Sequence, residues 1–545
     1  MLVLEIDNLK KYYGIRKILD IKNFKVYKKD RIGIVGLNGS GKTTLLNLIS
    51  KDIEPEKGYI KVIGNMSYIR QLEIVDKKLT YGKYISEFGV KDKNEEFMSG
   101  GEITRLKIAK SLSENPVLLL ADEPTSNLDF EGIDKFTKSL FKFDGALLMV
   151  SHDRDLLDKV CNKILEIQDG HIKIYEGNYS DYKKQKELEI KTKEAEYEKY
   201  IKEKKRLRRA AIETKSKSKS IKTTPKRMGN SEARIHKMGS QSAKRALDKK
   251  AKAIKTRLEK LEVKEKAKDI DKIKVDISGA EIHSKIIIEG EKVAKSFGDR
   301  LLFHNGDFQI YNGRKTALIG ANGSGKTTLL NMIINEDEKI NISKKAKIGY
   351  FNQDLSILDE EKSIIDNIMD SSIYDETTIR TILARFLFKR NDVYKKVNVL
   401  SGGERVKVSL AKILMSDFNI LILDEPTNYL DIYSIEAIEE ALIDYNGTIL
   451  FVSHDRRFIE KVADNIISIE DKKIKTFSGT LKEFESRKRK SKDEDVEQTM
   501  EKKAVLEYRM SQVVGKLSMP SKDDDVEALD REYKQILKKL KEFKR

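Results

Sequence analysis

The stretch Gly36-Leu-Asn-Gly-Ser-Gly-Lys42-Thr43-Thr44 decides the fold of the first part of the chain. A short apolar run, Ile32–Val35, precedes it, and a helical pattern, Leu45–Ile49, follows it. This strand–loop–helix order is typical of a P-loop, whose glycines turn backbone N–H groups inward to cradle phosphate at a helix N-terminus. The expected nucleotide-binding residues of the loop are Gly36, Asn38, Gly39, Ser40, Gly41, Lys42, Thr43 and Thr44. Lys42 is expected to reach the β/γ-phosphates and Thr43 to bind Mg²⁺.

Two further apolar runs end in residues that suit phosphate chemistry. Val117–Ala121 ends in Asp122 and Glu123, and Ala146–Val150 is followed by Ser151 and His152. Asp122 suits a Mg²⁺-bound water, and Glu123 suits a general base that polarises an attacking water. His152 is placed to sense or stabilise the γ-phosphate. The pattern therefore predicts cleavage of a nucleoside triphosphate.

The motif Met98-Ser99-Gly100-Gly101-Glu102 opens a helical pattern, with Ser99 placed to cap it. A serine and two glycines at a helix N-terminus form a second anion site. Here the sequence resembles the ATP-binding-cassette (ABC) ATPases, whose signature is Leu-Ser-Gly-Gly and whose two cassettes sandwich ATP head to tail. The resemblance implies that Ser99, Gly100, Gly101 and Glu102 bind ATP. It also implies that Tyr13 stacks on adenine, that Gln71 contacts the γ-phosphate and Mg²⁺, and that Asp129 lies in the loop joining the two sites.

The same set of motifs recurs in the second half of the chain, so the chain is a tandem repeat. The second set comprises Phe297, Gly320, Asn322, Gly323, Ser324, Gly325, Lys326, Thr327, Thr328, Gln353, Ser401, Gly402, Gly403, Glu404, Asp424, Glu425 and His454. Both copies keep the lysine, the two carboxylates and the histidine. Two hydrolysis-competent sites are therefore expected within one polypeptide. One pairs Lys42 and Glu123 with Ser401-Gly402-Gly403, and the other pairs Lys326 and Glu425 with Ser99-Gly100-Gly101. The expected Mg²⁺ ligands are Thr43, Gln71 and Asp122, and Thr327, Gln353 and Asp424.

The spacing of the motifs shows where the two copies differ. Lys42 and Lys326 are 284 positions apart, whereas Ser99 and Ser401 are 302 apart. The register slips between the glutamine and signature motifs, a gap of 28 positions in the first copy and 48 in the second. In ABC transporters this region receives the membrane domain, so a shortened first copy argues against a transporter partner. The stretch Glu73–Phe97 leaves room for two short helices.

The segment between the two repeats carries almost all of the excess charge. Residues Lys202–Lys260 hold 22 Lys/Arg and five Asp/Glu, a net of +17 against +18 for the whole chain. Apolar residues at heptad-like positions lie on both sides of a Pro- and Gly-containing break, Thr223–Ser231. Since Pro and Gly end helices, the pattern predicts two long helices folded back on each other with a basic tip. The first is expected over Glu187–Ile221, about 50 Å long.

Two cassettes, no apolar run of membrane-spanning length and a basic helical linker together resemble the ABC-F family, whose members bind the ribosome at the tRNA exit site. Arg227-Met-Gly-Asn-Ser-Glu-Ala-Arg234 is similar to a stretch of that family's linkers. The missing insertion in the first cassette looks like the antibiotic-resistance, ribosome-protection branch. That branch acts against lincosamides, pleuromutilins and streptogramin A. The implied partners are large-subunit rRNA and P-site tRNA. The expected RNA-contacting tip residues are Lys222, Lys226, Arg227, Met228, Arg234, His236 and Lys237.

The fold class expected is α/β, with two tandem ABC domains, a helical-hairpin linker and a C-terminal helical hairpin. The expected boundaries are 1–180 and 286–482 for the cassettes, 181–285 for the linker with its tip at 222–237, and 483–545 for the C-terminal extension. A single cysteine and the absence of a signal-peptide pattern favour the cytoplasm. Two alternatives remain at this point: a housekeeping ABC-F translation factor, and an ABC ATPase of DNA maintenance.

Overall fold

The structure, a computed structural model, describes residues 1–71, 88, 98–221, 230–264, 284–352, 357–388, 390–488, 490, 506, 508–514 and 526–542. The chain divides into two compact units. Unit 1 comprises Met1–Val275, Glu376–Lys395 and Leu430–Ala437. Unit 2 comprises Asp276–Asp375, Lys396–Tyr429 and Ile438–Arg545.

The first cassette is built on two sheets. Its strands are β1 (Leu2–Tyr13), β2 (Arg16–Tyr27), β3 (Arg31–Val35), β4 (Lys57–Val62), β5 (Met66–Ile69), β6 (Leu118–Asp122), β7 (Ala146–Val150), β8 (Lys163–Gln168) and β9 (His171–Glu176). Strands β2-β1-β4 form an antiparallel sheet. The other six form a sheet in the order β5-β6-β7-β3-β8-β9, parallel except for β9 at its edge.

Helices connect the parallel strands, as crossover connections require. They are α1 (Lys42–Ile49), α2 (Gly100–Ser113), α3 (Phe130–Lys142) and α4 (Arg154–Val160). The strand order places the carboxyl ends of β6, β7 and β3 side by side. Ligands of open α/β sheets bind at this edge, so the predicted site residues that follow these three strands meet there.

Apolar residues alternate along the central strands and build a core on each face of the large sheet. On β6, Leu118 and Leu120 pack into one cluster, whereas Leu119 and Ala121 pack into the other. This is the period of two that a strand imposes on its side chains. Because both faces are covered, β6 is apolar throughout until Asp122, where the core ends.

The second cassette repeats this architecture. Its strands are β10 (Ile286–Phe297), β11 (Arg300–Tyr311), β12 (Lys315–Gly320), β13 (Ile340–Ile342), β14 (Ile348–Phe351), β15 (Ile420–Asp424), β16 (Thr448–Val452), β17 (Asn465–Glu470) and β18 (Lys473–Ser478). The sheet orders are β11-β10-β13 and β14-β15-β16-β12-β17-β18, strand for strand those of the first copy. The predicted tandem repeat of ABC domains is therefore confirmed.

The linker contains two long helices, α5 (Tyr179–Ser220) and α6 (Asn230–Glu259). The two helices pack against each other in antiparallel orientation. Ser218 Oγ donates a hydrogen bond to Asp248 at 2.6 Å near one end, and Glu203 lies 3.5 Å from Arg257 nearer the other. The predicted helical hairpin is confirmed.

Helix α5 begins eight residues earlier than the expected Glu187. The side chain of Asn178 accepts the Asp181 N–H and caps the helix, while Tyr179 and Tyr182 pack into the core of the first cassette. The charge pattern does not show this start, because the first turns of α5 are part of the cassette core. The predicted tip, residues 222–237, comprises the stretch between the two helices and the first turns of α6. Residues 222–229 lie outside the described residues.

The remaining helices of the second half are α7 (Lys326–Ile334), α8 (Ile364–Met369), α9 (Glu376–Arg385), α10 (Gly402–Met415), α11 (Ile432–Asp444), α12 (Arg456–Val462) and α13 (Val526–Glu542). In the C-terminal extension, residues 483–488 and 508–514 are also helical, so the described stretches of the predicted hairpin are helices. The turn predicted for this hairpin, Ser518-Met-Pro520-Ser-Lys-Asp-Asp (518–524), lies outside the described residues. So does Glu73–Phe97, except Phe88, which is buried and helical. No helix in the described ranges is long and apolar enough to cross a membrane.

Candidate ATP sites

The P-loop of the first cassette connects β3 to α1. Gly41 is the N-cap of α1 with φ of 101°, and a Cβ there would lie 2.9 Å from Ile18. A Cβ on Gly36 would lie 2.7 Å from both the Ile167 carbonyl and Ser40 Oγ. Glycine is therefore required at both positions, and the loop stays narrow enough for its N–H groups to face one ligand.

Lys42 lies within this loop. Its Nζ donates to the carbonyl oxygens of Gly36 at 2.8 Å and Leu37 at 3.2 Å. The side chain is 7% exposed, and this burial lowers the pKa of Lys42, while the nearby charges of Glu123 and Asp122 oppose the shift. A cation held in a loop of N–H donors fits a polyanionic phosphate chain.

Glu123 is half-buried beside Lys42, immediately after β6, and its Oε1 atom is buried. Its backbone has φ of 49°, the left-handed region that a glutamate rarely adopts, and its N–H donates to the Val150 carbonyl at 2.9 Å. Oε2 accepts the His152 N–H at 3.3 Å. Oε1 makes no hydrogen bond within the described chain, although His152 Nε2 lies 3.2 Å away. A strained backbone that holds a buried carboxylate oxygen without a donor is typical of a functional site.

The charges around this carboxylate set its protonation. Burial, together with the neighbouring negative charge of Asp122, raises the pKa of Glu123 to about 8. Burial and the charge of Lys42 lower the pKa of His152 to about 3, so the imidazole is neutral near pH 7. A carboxyl group poised near neutral pH is the state that a general base requires.

The second cassette reproduces this geometry. Lys326 Nζ donates to Gly320 O at 2.9 Å and to Ala321 O at 3.3 Å. Glu425 has φ of 50°, and its Oε1 lies 3.4 Å from His454 Nε2. Burial raises the pKa of Glu425 to about 7, a shift that the charge of Lys326 opposes and that of Asp424 supports. Both copies therefore hold the predicted residues in one constellation.

The groups that would hold Mg²⁺ are also brought together. Thr43, in the first turn of α1, lies close to Asp122 at the end of β6, and Thr327, in the first turn of α7, lies close to Asp424 at the end of β15. Burial raises the pKa of Asp122 and Asp424, and the neighbouring threonine hydroxyl and P-loop lysine oppose that rise in each site. One carboxylate and one hydroxyl per site suit a Mg²⁺ ion that takes its other ligands from phosphate and water. The carboxylate and hydroxyl of each site therefore fit a Mg²⁺ ion.

Each signature motif caps a helix, as the sequence predicts. Ser99 is the N-cap of α2: its Oγ accepts the Glu102 N–H at 3.3 Å, and Glu102 accepts the Ser99 N–H at 2.9 Å. Ser401 and Glu404 form the same capping box on α10. The two glutamates therefore stabilise the helix starts. Gly100, Gly101, Gly402 and Gly403 are the first residues of these helices, where N–H groups have no partner within the helix.

The remaining predicted residues lie away from these constellations or outside the described chain. Tyr13 and Phe297 end β1 and β10 and are 55% and 59% exposed, as a stacking platform requires. Gln71 is exposed after β5, and its carbonyl accepts from Lys107 at 3.1 Å. Gln353 lies outside the described residues, as do the tip residues Lys222, Lys226, Arg227 and Met228. The backbone of Arg234, His236 and Lys237 belongs to α6.

Two residues of the first site were missed in the sequence. Tyr68 lies beside Asp122 and donates its hydroxyl proton to Asn47 Oδ1 at 3.1 Å, and Asp431 Oδ2 accepts the P-loop Asn38 N–H at 2.9 Å within unit 1. A carboxylate on this N–H shows that the loop presents its amide to an anion. The tandem repeat could have revealed both residues. Tyr68 and Tyr350 are 282 positions apart, as are Gln71 and Gln353, and Asp431 lies 302 positions after Asp129.

Comparison with known proteins agrees with this geometry. The ABC transporter family model matches residues 19–86 and 303–428. Ribosome protection protein VmlR of Bacillus subtilis (strain 168) is 34% identical over 534 residues, covering 96% of this chain and 94% of that protein. The chain belongs to the ABC-F family. Erythromycin resistance ATP-binding protein MsrA of Staphylococcus epidermidis is 36% identical, covering 82% of this ABC-F protein and 93% of its own length. The family prediction is confirmed.

Solved structures support the fold of this ABC-F protein. The archaeal ribosome recycling factor aABCE1, in complex with ribosomal stalk protein aP1, matches with a TM-score of 0.58 at 18% identity. The match covers 89% of this chain and 92% of that one. At this identity the likeness concerns architecture alone, and it agrees with the predicted α/β fold of two ABC domains.

The raised pKa of each glutamate predicts that hydrolysis is lost as the pH falls. A general base acts only as the carboxylate, so kcat/KM should rise with pH through the folded-state pKa. In a Glu425→Gln variant, which leaves Glu123, the drop from pH 8 to pH 6 should be roughly 50-fold, since the pKa is about 8. In a Glu123→Gln variant it should be roughly 10-fold, since the pKa of Glu425 is about 7.

The measurement is phosphate release at subsaturating Mg-ATP across this pH range. ATP affinity, measured at the same pH values with a non-hydrolysable analogue, is the control for titration of the nucleotide. A profile that is flat between pH 6 and 8 in both variants would contradict the assignment of these glutamates as bases.

Proposed function

We propose that this protein is an ATPase that binds the ribosome and protects it from antibiotics. In this proposal it enters the tRNA exit site and uses its linker tip near the peptidyl-transferase centre to displace lincosamides, pleuromutilins and streptogramin A. The observation that carries the proposal is a basic two-helix hairpin rooted in the core of a cassette that holds a complete hydrolytic constellation.

The chemistry assigned to each site follows from its contacts. The P-loop and Lys42 bind the phosphate chain, and Glu123 takes a proton from the attacking water. The neutral His152 supports the γ-phosphate from the end of β7. When bound, Mg²⁺ would neutralise phosphate charge beside Thr43 and Asp122. The second site uses the corresponding residues 284 to 302 positions later.

We assign each site a signature motif from the opposite cassette. Lys42 and Glu123 would act with Ser401-Gly402-Gly403, and Lys326 and Glu425 with Ser99-Gly100-Gly101. Two observations support this pairing. Each signature presents the N-terminus of a 14-residue helix, and Asp431, from the second half of the sequence, contacts the first P-loop within unit 1. The domain boundaries 1–180, 181–285, 286–482 and 483–545 remain part of the proposal.

The hairpin suits contact with RNA in the cytoplasm. Helix α5 has 42 residues and is therefore about 63 Å long. Lysines 215, 217 and 219 near its far end are all exposed, and each can meet an RNA phosphate. Such contacts give affinity without reading sequence, and they weaken with salt. The full-length similarity to VmlR, which is named a ribosome protection protein, includes this hairpin.

Peptide synthesis on purified ribosomes tests the proposal. With lincomycin, tiamulin or a streptogramin A present, addition of the protein should restore synthesis and raise the inhibitory drug concentration several-fold. The matched control is the Lys42→Ala/Lys326→Ala variant, which should give no rescue. Failure to rescue with every drug would favour the housekeeping role instead. Sedimentation with DNA and without ribosomes would favour the DNA-maintenance class.

A further inference from the structure

A buried cluster joins the root of α5 to the segment Leu430–Ala437, all within unit 1. At its centre is Glu166 on β8, which is 5% exposed. Its Oε1 lies 3.0 Å from the Tyr182 hydroxyl and 2.9 Å from the Tyr433 hydroxyl, and the two hydroxyls are 2.7 Å apart. Lys186 Nζ donates to Oε2 at 2.6 Å. Glu166, Tyr182, Lys186 and Tyr433 are called the root cluster below.

The root cluster is fully hydrogen-bonded. Burial and the neighbouring Glu166 carboxylate raise the pKa of Tyr182 and of Tyr433, so both hydroxyls keep their protons. Three oxygen–oxygen contacts join Glu166 and the two tyrosine hydroxyls, and the hydroxyls carry two protons between them. Each hydroxyl therefore donates either to Glu166 or to the other hydroxyl. Loss of either hydroxyl leaves a buried group with one partner fewer, and such a loss is costly in a low-dielectric site.

A second contact ties the same segment to the same helix root. Lys183 Nζ on α5 lies 2.6 Å from Glu436 Oε1, and Tyr179 donates to this oxygen at 3.5 Å. Two positions before Tyr433, Asp431 accepts the Asn38 N–H of the P-loop. One short segment therefore contacts the P-loop through Asp431, just before α11, and the root of α5 through Tyr433 and Glu436 in the first two turns of that helix.

The tandem repeat shows that the cassette fold does not need this cluster. At the 302-position offset, Ser468 replaces Glu166 and Phe484 replaces Tyr182. The edge-on ring pair is kept, Tyr175 with Tyr182 in the first copy and Phe477 with Phe484 in the second. Ser468 is fully buried, and its hydroxyl has no hydrogen-bond partner in the described part of the chain. The rings serve packing in both copies, and Lys186 has a counterpart in Lys488, which pairs with Glu470, whereas the buried glutamate and the tyrosine hydroxyl occur in the first copy alone.

We propose that Tyr182 and Tyr433 are positioning residues for the first ATP site. Through Glu166 they hold the Asp431 carboxylate on the Asn38 amide and link that contact to the root of the linker helix. Turnover by Lys42 and Glu123 then depends on how α5 is seated, whereas turnover by Lys326 and Glu425 does not. The dependence of turnover, though not the positioning itself, rests on the proposed function.

Amide hydrogen exchange on the full-length, nucleotide-free protein tests the positioning directly. Tyr433→Phe and Tyr182→Phe should each accelerate exchange in the P-loop peptide that contains Asn38 by about 10-fold, because its acceptor is no longer held. Tyr175→Phe is the matched control: Tyr175 is on β9, the change removes its hydroxyl 3.3 Å from Glu166 Oε2, and exchange at Asn38 should stay the same. Phe484 occupies the position equivalent to Tyr182 in the second cassette, so the cassette fold accommodates the Tyr182→Phe change.

ATP turnover is the second readout. In a Glu425→Gln background, Tyr433→Phe should lower kcat about 10-fold with KM within about twofold, since misplacement costs rate rather than binding. In a Glu123→Gln background it should have no effect. Unchanged exchange at Asn38 in both Phe variants, or an equal loss of turnover in both backgrounds, overturns the inference. Faster exchange in a protein that hydrolyses no ATP upholds the positioning and overturns the proposed function instead.

Discussion

Exchange of both glutamates for glutamine, Glu123→Gln with Glu425→Gln, should slow ATP hydrolysis at least about 100-fold, the range that general-base catalysis contributes. Glutamine keeps the shape of glutamate, and its side-chain oxygen is still able to accept the His152 N–H that Glu123 Oε2 accepts at 3.3 Å. It does not accept a proton from water at neutral pH. The variant should therefore bind ATP and fail to cleave it. Phosphate release and nucleotide binding, measured on the same preparation, check both statements.

The matched control exchanges two exposed glutamates, Glu131→Gln with Glu440→Gln, which changes the charge equally and should leave hydrolysis intact. Each single variant should keep one active site. The double variant is also expected to accumulate on ribosomes in the presence of ATP, because slow hydrolysis preserves the ATP-bound state. Rapid hydrolysis by the double variant would show that another residue serves as the base.

Replacement of residues 222–230 by a Gly/Ser loop should abolish rescue of drug-inhibited peptide synthesis while ATP hydrolysis persists. This stretch lies between the described end of α5 at Ser220 and the first turn of α6. The Ser218–Asp248 hydrogen bond and the Glu203–Arg257 ion pair hold the helices together outside it. The change therefore replaces the first nine residues of the predicted tip, 222–237, and leaves the paired helices of the hairpin. Rescue assays with lincomycin and tiamulin measure the effect.

A matched variant separates the tip from its charge. The loop replacement removes three positive charges, those of Lys222, Lys226 and Arg227. Lys215→Ala, Lys217→Ala and Lys219→Ala together remove the same charge from the exposed face of α5. This triple variant should bind ribosomes more weakly, with a shallower salt dependence, and still protect. Protection that survives the loop replacement would show that the tip is not the effector.

Much of the site is encoded locally and was therefore predictable. The P-loop, the signature caps and the strand-end carboxylates each depend on a few consecutive residues, so Gly41, Ser99 and Asp122 lie where their motifs place them. The repeat offset then predicts the second cassette from the first. The motif does not show that Glu123 adopts a left-handed backbone conformation, because that follows from the pairing of β6 with β7 and the turn after it.

Contacts between distant parts of the chain were not predictable in the same way. Asp431 reaches Asn38 across 393 positions, and Tyr433 reaches Glu166 across 267. No local pattern encodes either pairing. The early start of α5 was hidden for a related reason: the predicted boundary at 180/181 assigns Tyr182 to the charged linker, yet it packs with Tyr179 in a cassette core.

The unbroken length of α5 makes it a lever arm. Its root is fixed by two tyrosines in a packed core, and its far end, Ser220, lies about 63 Å along the helix axis. A tilt of about 5° at the root would sweep that end through about 5 Å, more than the roughly 3.4 Å between neighbouring bases in a stacked strand. Repacking by a fraction of an ångström around Tyr182 is thus amplified to the scale of a single nucleotide. The accuracy with which the tip is aimed is decided at the opposite end of the helix.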